Sequence, residues 1–359
     1  MCARAAIPAE KRLAASPVPR TGKNLAAFRR ALLRWYDRHR RDLPWRKTCD
    51  PYRIWLSEIM LQQTRVAAVL EHYRIFLERF PSVEALAAAP EDAVLTAWSG
   101  LGYYRRARML RQCAQELVQN HGGRFPDRAE ALRTLPGIGR YTAAAIASIV
   151  FEEPTAVVDG NVERVVQRLQ GRDLTDQQIW QQAQSFLNTS RPGDFNQSMM
   201  ELGATVCLPR DPKCPTCPVR KWCVTEQSRP SANRTITMER RASSPGGTLT
   251  PSSSRQVKKE IWCVLNQRDG YIRLVQRPRD SSLMPGMWEL PQLSRKPHRT
   301  TPSAPWRTFR HSITRTDFTV HVHAGRAAAA KGKWIPVASI VGLPITGLTR
   351  KILKAAAII

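Results

Sequence analysis

The sequence has little acid for its 359 residues: 29 Asp and Glu stand against 56 Lys and Arg, a formal net charge of +27. This imbalance does not define a fold. It does favour a polyanionic partner, with nucleic acid ahead of an anionic membrane surface. The alternative is a basic surface that serves only solubility.

Long apolar runs are also missing. None approaches the ~18 residues that a membrane-spanning helix needs, and residues 1–23 lack the apolar core of a secretory signal. We therefore expect no membrane association and a basic, flexible tail over 1–23, whose Arg/Ala content also suits an organelle transit peptide. The expected location is the cytoplasm, close to the nucleoid, or an organelle or the nucleus if the source is eukaryotic.

Cysteine is scarce outside one stretch, CLPRDPKCPTCPVRKWC at 207–223. The other four cysteines are scattered, which argues against a disulfide framework. Four thiolates this close can surround one centre, and zinc and an iron–sulfur cluster both accept four cysteine ligands. The spacing predicts a metal centre without separating the two, held by Cys207, Cys214, Cys217 and Cys223.

Apolar residues at helical spacing run from residue 24 to about 223, and Gly, Pro and Asp separate them at short intervals. This pattern predicts an all-α domain over 24–223. Residues 224–257 are rich in Ser, Thr, Pro and Arg and read as an interdomain linker. Beyond them, EIWCVLNQRDGYIRLVQRP predicts two strands joined at Arg268-Asp269-Gly270, and DFTVHVHAG predicts another. Residues 258–359 therefore form an α+β domain.

The stretch LPGIGRYTAAAIASIV at 135–150 places two glycines before a helix that opens near Tyr141. Gly137 and Gly139 can adopt positive φ and leave backbone N–H groups uncovered beside the helix N-terminus, where an anion binds. With the net charge of +27, we expect that anion to be a DNA phosphate. The alternative is an ordinary turn between helices.

Two acids have neighbours that suit opposite protonation states. Glu58 shares a predicted helical face with Trp55, Leu61 and Gln62, and such surroundings favour the protonated acid. Asp159 precedes a predicted helix whose dipole favours the ionised form. One neutral and one charged carboxyl are the arrangement that cleaves a glycosidic bond. The alternatives are a buried Glu–Arg pair for Glu58 and a plain N-cap for Asp159.

The run WSGLGYYRRAR at 98–108 combines two tyrosines with Arg105, Arg106 and Arg108. Aromatic side chains beside arginines suit stacking on bases or wedging between them. The alternative is a tyrosine that closes the core. The run alone does not distinguish Tyr103 from Tyr104 in these two roles.

Taken together, these motifs resemble the helix-hairpin-helix superfamily of base-excision DNA glycosylases, and within it the MutY-type adenine DNA glycosylases. The resemblance covers nearly all of the chain from residue 24. It rests on LPWRK (43–47), WLSEIMLQQT (55–64), GLGYYRRAR (100–108), LPGIGRYTAAAI (135–146), VVDGNVERV (157–165), FNQSMMELGA (195–204) and the four-cysteine run.

The resemblance implies a 4Fe–4S cluster on the four cysteines and an adenine that is extruded from the duplex before cleavage. It implies that Glu58 protonates the leaving base and that Asp159 stabilises the cationic sugar. The residues that match the family's adenine pocket are Trp45, Arg46, Leu61 and Gln197. The residues that match its site for the partner base, which in this family is 8-oxoguanine, are Gln63, Thr64 and Tyr103.

Relatives of the endonuclease III kind, which also nick the backbone, carry a lysine where this chain has Tyr141. An amine forms a Schiff base with the opened sugar, whereas a phenol does not. The resemblance therefore implies a monofunctional enzyme that leaves an abasic site. Tyr141, expected near Asp159, could hydrogen-bond that catalytic carboxylate or the sugar.

The second domain resembles the family's Nudix-like domain through LVQRP (274–278), LMPGMWELPQL (283–293) and LPITGLTRKIL (343–353). No acidic cluster follows the second motif, so we expect lesion recognition without nucleotide hydrolysis. Where many members carry a Phe-Ser-His loop, we align Ile313-Thr314-Arg315, in which Thr314 keeps a hydroxyl and the aromatic ring and histidine are missing.

The expected substrate is double-stranded DNA with adenine mispaired with 8-oxoguanine or guanine, bound by a monomer; no protein partner is predicted. Two alternatives remain. One is a glycosylase for thymine or uracil opposite guanine on the same scaffold, and the other is a non-catalytic iron–sulfur DNA-binding module.

Overall fold

The computed structural model describes residues 18–19, 22–228, 257–281, 283–293, 305–313, 316–325 and 332–359. The chain divides into two compact units. The first unit comprises residues 1–42 and 143–245, and the second comprises 43–142 and 246–359. The α+β region therefore shares a unit with residues 43–142. The predicted tail lies almost wholly outside the described residues.

Helices account for the regular structure between residues 22 and 228, and no strand occurs in this stretch, which the structure describes throughout. The predicted all-α region is confirmed. The helices are α1 (Gly22–His39), α2 (Pro51–Leu61), α3 (Val66–Arg79), α4 (Val83–Ala88), α5 (Glu91–Ala97), α6 (Arg105–His121), α7 (Ala129–Leu132), α8 (Arg140–Val150), α9 (Gly160–Gln170), α10 (Asp176–Phe186), α11 (Pro192–Thr205) and α12 (Val224–Gln227).

Helix α12 falls within the predicted linker, so the regular structure continues four residues past Cys223. The remainder of that linker, 229–256, lies outside the described residues. Among the helices that the structure describes, none combines the length and apolarity needed to cross a bilayer.

An aromatic cluster forms the core of the first unit. The ring of Phe28 on α1 lies 5.3 Å from that of Phe186 and packs edge-on against Trp222 at 5.5 Å. All three side chains are buried. Trp222 follows the third predicted metal ligand, so this packing fixes the cysteine segment against α1.

Helices α9 and α11 approach each other closely at Gly203. A Cβ built on this glycine would lie 2.5 Å from Cβ of Asn161 and 2.9 Å from its carbonyl oxygen. Nearby, the fully buried Glu201 accepts hydrogen bonds from Nε and Nη2 of Arg41 at 2.8 and 2.7 Å. The buried acid Glu201 thus forms an ion pair with Arg41 at 2.7 Å beside this approach. The absence of a side chain at Gly203 allows the start of α9 to pack closely against α11.

In the second unit, the strands form two groups. Strand β1 (Val257–Leu265) pairs in parallel with β6 (Thr316–Ala324), which pairs antiparallel with β5 (Arg307–Ile313). The other group is centred on β3 and comprises β2 (Gln267–Arg268), β3 (Tyr271–Gln276), β4 (Trp288–Glu289) and β7 (Lys333–Pro336).

The predicted turn between two strands is confirmed. Asp269 and Gly270 both have positive φ, at 50° and 78°, as a tight hairpin with right-handed twist requires. Helix α13 (Gly347–Ala355) packs its buried Ile352 and Leu353 into the apolar cluster of the strands. The region is α+β, as the sequence predicts.

Gly203→Ala is expected to lower the free energy of unfolding by ~1–3 kcal/mol, because the added methyl group forces α9 and α11 apart. Chemical denaturation measures this change. Gly347→Ala is the matched control, since a Cβ there meets no atom within 4 Å. Equal stability of Gly203→Ala and the wild type would contradict the close approach.

Candidate active site

Glu58 lies on α2 and is almost completely buried, with 6% of its surface exposed. Asp50 caps this helix by accepting a 2.8 Å hydrogen bond from the backbone N–H of Tyr52, and Pro51 occupies the first turn. The neighbouring Trp55 is buried edge-on against Phe125. The burial of both Glu58 and Trp55 agrees with the shared helical face that the sequence predicts for them.

Tyr141 points its hydroxyl at this acid. The hydroxyl donates a 2.6 Å hydrogen bond to Oε2 of Glu58. One residue on, Thr142 accepts a 3.3 Å hydrogen bond from Nε2 of Gln62, which follows α2. The first turn of α8 is thereby attached twice to the second half of α2. We expected this hydroxyl to meet Asp159 or the sugar; in the structure it donates to Glu58 instead.

The hairpin between α7 and α8 uses its two glycines differently. Gly137 has φ of +77°, and an added Cβ would lie 2.7 Å from Cβ of Met109. Gly139 is not among the positive-φ glycines, and a Cβ there would meet nothing within 4 Å. The expectation of positive φ at both is wrong for Gly139, because the chain has already turned at Gly137. Both are exposed, as a phosphate contact requires.

Asp159 caps α9 from the first unit. Its Oδ1 accepts hydrogen bonds from the N–H groups of Asn161 and Val162 at 2.9 and 2.8 Å, and its Oδ2 accepts one from Nδ2 of Asn161 at 2.9 Å. Burial nevertheless raises the pKa of Asp159 above its ordinary value, and these hydrogen bonds only oppose that rise. The sequence argument, which considered the helix dipole alone, omitted this desolvation.

A chain of hydrogen bonds runs from Asp159 along α9 to the cysteine segment. Oδ1 of Asn161 accepts from Arg164 at 2.8 Å, and Nε of Arg164 donates to the carbonyl oxygen of Cys207 at 2.8 Å. One turn later, Arg168 donates to Sγ of Cys207 at 3.2 Å. Sequence analysis did not single out these arginines; their i, i+4 spacing after Gly160 was the available signal.

The four cysteines line one cavity together with Arg168, with an empty volume of about 380 Å³ including its mouth. Burial raises the pKa of Cys217 to about 12 and that of Cys223 to about 11. Such thiols lose their protons when they bind a metal centre, because its positive charge favours the thiolate. Among the described residues, no three His, Cys, Asp or Glu side chains converge on a single ion. The four thiols are thus gathered at one cavity in positions that do not by themselves define the coordination of a single ion.

The residues predicted to line the adenine pocket are buried to different degrees. Trp45 is buried edge-on against Tyr73 at 5.4 Å, and Arg46 is half-buried in the 3-10 turn Pro44–Arg46. Leu61 is half-buried at the last position of α2. In the first unit, Gln197 accepts a 3.1 Å hydrogen bond from the hydroxyl of Tyr36.

The residues predicted to meet the partner base include two in strained backbone conformations. Gln63 and Tyr103 have φ of +57° and +48°, in a region that side-chain-bearing residues seldom adopt. Tyr103 is half exposed, whereas Tyr104 is buried. Arg106 turns inward, where it donates to backbone oxygens near both segments and to the side-chain hydroxyl of Thr64 at 3.2 Å. Sequence analysis assigned no role to Arg106 alone, because its inward turn depends on acceptors that only the fold brings together.

Thr314 lies outside the described residues, while Ile313 ends β5. A second candidate for the Phe-Ser-His loop lies on β5 itself, where Phe309-Arg310-His311 keeps the phenylalanine and the histidine. Sequence analysis missed this match. Glu289, the acid of the motif at 283–293, accepts two 2.9 Å hydrogen bonds from Nη1 of Arg277 and one of 3.3 Å from Nε2 of Gln292.

The α+β region contacts the segment that carries the tyrosines. Nη2 and Nε of Arg350 on α13 donate to Oγ of Ser99 at 2.9 and 3.1 Å, and that hydroxyl donates to the carbonyl oxygen of Ile345 at 3.2 Å. Thr96 on α5 donates to the carbonyl oxygen of Gly342 at 3.2 Å. The segment around Tyr103 is thus anchored from the α+β region as well.

The hairpin joining α7 to α8, with a carboxylate at the cap of the next long helix, defines a helix-hairpin-helix protein. Residues 56–188 match the model described as "HhH-GPD superfamily base excision DNA repair protein". A solved thermostable thymine-DNA glycosylase is 32% identical with a TM-score of 0.54, covering 56% of this chain and 96% of its own. The chain belongs to the HhH-GPD superfamily.

Curated relatives extend the similarity into the α+β region. The adenine DNA glycosylase of Homo sapiens is 41% identical over 320 residues, which is 76% of this chain and 58% of the relative. That of Mus musculus is 40% identical over 319 residues, or 76% of this chain and 62% of the relative. The chain thus spans about three fifths of the length of these relatives, and its sequence is similar to the MutY type.

The stability of the wild type relative to Asp159→Asn is expected to fall as pH rises above the ordinary aspartate pKa. A raised pKa means that the folded state binds the proton more tightly than the unfolded state, so ionisation in this window destabilises the fold. Thermal melts of both proteins across pH test this. Exposed Asp127→Asn is the control; a difference that is constant with pH would contradict the desolvation.

Proposed function

We propose that the chain is a monofunctional DNA glycosylase that hydrolyses the N-glycosidic bond of adenine mispaired with 8-oxoguanine or guanine. The observation that carries this proposal is the buried Glu58 with the Tyr141 hydroxyl 2.6 Å from it. It combines a shielded acid with a phenol at the position where a bifunctional relative has an amine. The similarity to adenine DNA glycosylases supports adenine as the base.

Glu58 acts as the general acid. Base excision begins when the adenine leaves the duplex stack and enters the pocket. Because Tyr141 donates to Oε2, it fixes the plane of the carboxyl, and the acidic proton is carried on Oε1 toward the base. Protonation makes the adenine a neutral leaving group and lets the C–N bond break.

Asp159 stabilises the positive charge that develops on the sugar as the base leaves. Its carboxylate is held rigidly by Asn161 and Val162. Because burial disfavours the ion in the free protein, a cation forming beside it relieves that penalty in the transition state. Water then completes hydrolysis and leaves an abasic site with the backbone intact.

The remaining predicted residues supply recognition. Trp45, Arg46, Leu61 and Gln197 would line the adenine pocket, and Gly137 and Gly139 would present N–H groups to a phosphate. The partner base would meet Gln63, Thr64, Tyr103 and, in the α+β region, Thr314 or the Phe309-Arg310-His311 segment. This region would act as a Nudix-like lesion reader. The ion pair of Glu289 with Arg277 supports a role without nucleotide hydrolysis.

The four cysteines would hold a 4Fe–4S cluster. Four cysteines gathered at one cavity are the donor set of such a cluster. When bound, the cluster would shape the loop between the first two ligands, where Arg210 and Lys213 are exposed to a DNA backbone. Arg164 and Arg168 would hold the first ligand, and we assign them no chemical step.

A thymine or uracil mismatch glycosylase is the second candidate. The thymine-DNA glycosylase similarity covers 56% of this chain and is the observation that favours it. Duplexes with thymine or uracil opposite guanine distinguish the two candidates. Release of those bases in preference to adenine would overturn the adenine proposal.

Glu58→Gln is expected to slow adenine release by ~10²–10⁴-fold, because the amide has no proton to give to the leaving base. Duplex affinity should persist. Single-turnover kinetics and gel-shift titration measure the two effects. Glu78→Gln on α3, where the acid is exposed, serves as the control. Unimpaired turnover by Glu58→Gln would show that Glu58 is not the general acid.

Strand breaks at the adenine site are expected only after alkali treatment, since Tyr141 offers no amine for a Schiff base. An end-labelled duplex with adenine opposite 8-oxoguanine is incubated with the enzyme and divided, with and without hot alkali. A parallel sample with borohydride should trap no covalent complex. Breakage without alkali would show that another amine opens the sugar and would refute the monofunctional assignment.

A further inference from the structure

Arg106, in the first turn of α6, is turned away from solvent into a set of backbone oxygens. Its Nη1 lies 2.7 Å, 3.1 Å and 2.6 Å from the carbonyl oxygens of Ile59, Met60 and Gln62. Burial lowers the pKa of Arg106 to about 10, which still leaves it cationic at neutral pH. A cation therefore sits at the C-terminal end of α2, where the last carbonyls lack partners within the helix and the helix dipole favours positive charge.

The other half of the guanidinium contacts the second segment. Nη2 lies 3.2 Å from Oγ1 of Thr64, 3.2 Å from the carbonyl oxygen of Leu101 and 3.3 Å from that of Gly102. One planar group thus joins residues 59–64, which follow Glu58, to residues 101–102, which precede Tyr103. A lysine could not do this, because a single ammonium has three donors and no fork.

Aromatic rings enclose the same guanidinium. Its central carbon lies 5.4 Å from the ring centroid of Trp98 and 5.5 Å from that of Tyr103, within cation–π range. Tyr103 and Gln63 are the residues with positive φ in these two segments. Neither is a glycine, so each conformation persists only where surrounding contacts hold it. Arg106 provides contacts of that kind to both segments.

We propose that Arg106 is a positioning residue for recognition of the partner base, fixing Gln63, Thr64 and Tyr103 relative to the helix that carries Glu58. The inference rests on the proposed function, which assigns those three residues to the base opposite the adenine. Arg106 itself touches neither DNA nor the scissile bond. Its loss frees both segments at once and leaves the acid in place.

Arg106→Lys is the test variant, since it keeps the positive charge while losing the fork. Arg111→Lys is the matched control: this arginine lies on the same helix, and its Nε donates to the carbonyl oxygen of Ala89 at 2.6 Å, away from both segments. Each variant replaces an arginine of α6 whose side chain donates to backbone oxygens elsewhere in the chain. A purely structural role would affect them alike.

The first readout needs no activity. Hydrogen exchange of the free proteins should show faster exchange at 62–64 and 101–103 together in Arg106→Lys, and wild-type exchange there in Arg111→Lys. Unchanged exchange in both segments of Arg106→Lys would overturn the proposal. So would exchange that rises across the whole protein, because it would reveal general destabilisation.

The second readout is discrimination. Adenine release is measured from duplexes with 8-oxoguanine, guanine or an abasic gap opposite the adenine. Arg106→Lys should lose ~10-fold or more of the wild-type preference for a partner base over the gap, as expected when contact groups are misplaced. The loss should fall on KM, with the single-turnover rate at saturating enzyme little changed. A uniform drop in rate on every duplex, or an unchanged preference, would overturn the positioning role. If the wild type releases no adenine from any duplex, the proposed function fails, while the exchange result still decides whether Arg106 holds the segments.

Discussion

The hydroxyl of Tyr141 donates a 2.6 Å hydrogen bond to Oε2 of Glu58, and the second unit's part of the candidate site is arranged around it. This bond joins the helix that follows the hairpin to the helix that carries the acid. Because Glu58 is buried, a hydrogen bond to it is stronger than it would be in water, and losing it would leave a polar group exposed to an apolar environment. The hairpin's position, set by Gly137 against Met109, is thereby coupled to the orientation of the acid.

Buried charge recurs in both units and is handled in different ways. Glu201 is neutralised by Arg41. Arg106 is surrounded instead by carbonyl dipoles, the Thr64 hydroxyl and aromatic rings. Asp159 is held by hydrogen bonds that do not offset its desolvation. Such an uncompensated carboxylate is unfavourable for stability, which is the expected property of a group that must meet a transient cation. The contrast separates groups that maintain the fold from one that is available for chemistry.

Local pattern predicted much of this arrangement. The helix around Glu58, the capping position of Asp159, the turn at Asp269-Gly270 and the gathering of four cysteines all follow from periodicity, turn chemistry or spacing. What the local pattern did not show depends on contacts between distant segments. The inward turn of Arg106 requires the end of α2 and the Tyr103 segment to meet, and desolvation of Asp159 requires the packing around it. Gly139 shows the limit of turn chemistry, because its neighbour Gly137 alone supplies the left-handed residue. The assignments of pocket, partner-base and metal residues remain predictions.

The segment between Thr96 and Arg108 is held from two directions. Within the helical part, Arg106 donates to the carbonyl oxygens of Leu101 and Gly102. From the α+β region, hydrogen bonds join Ser99 to Arg350 and Ile345, and Thr96 to Gly342. The α+β region is therefore not a detachable module, although a low-complexity linker precedes it in the chain. Transplanting that region between relatives would require these docking residues to travel with it. We expect substitutions at these contact residues to be correlated between the two parts of the second unit, even where the linker sequence varies freely.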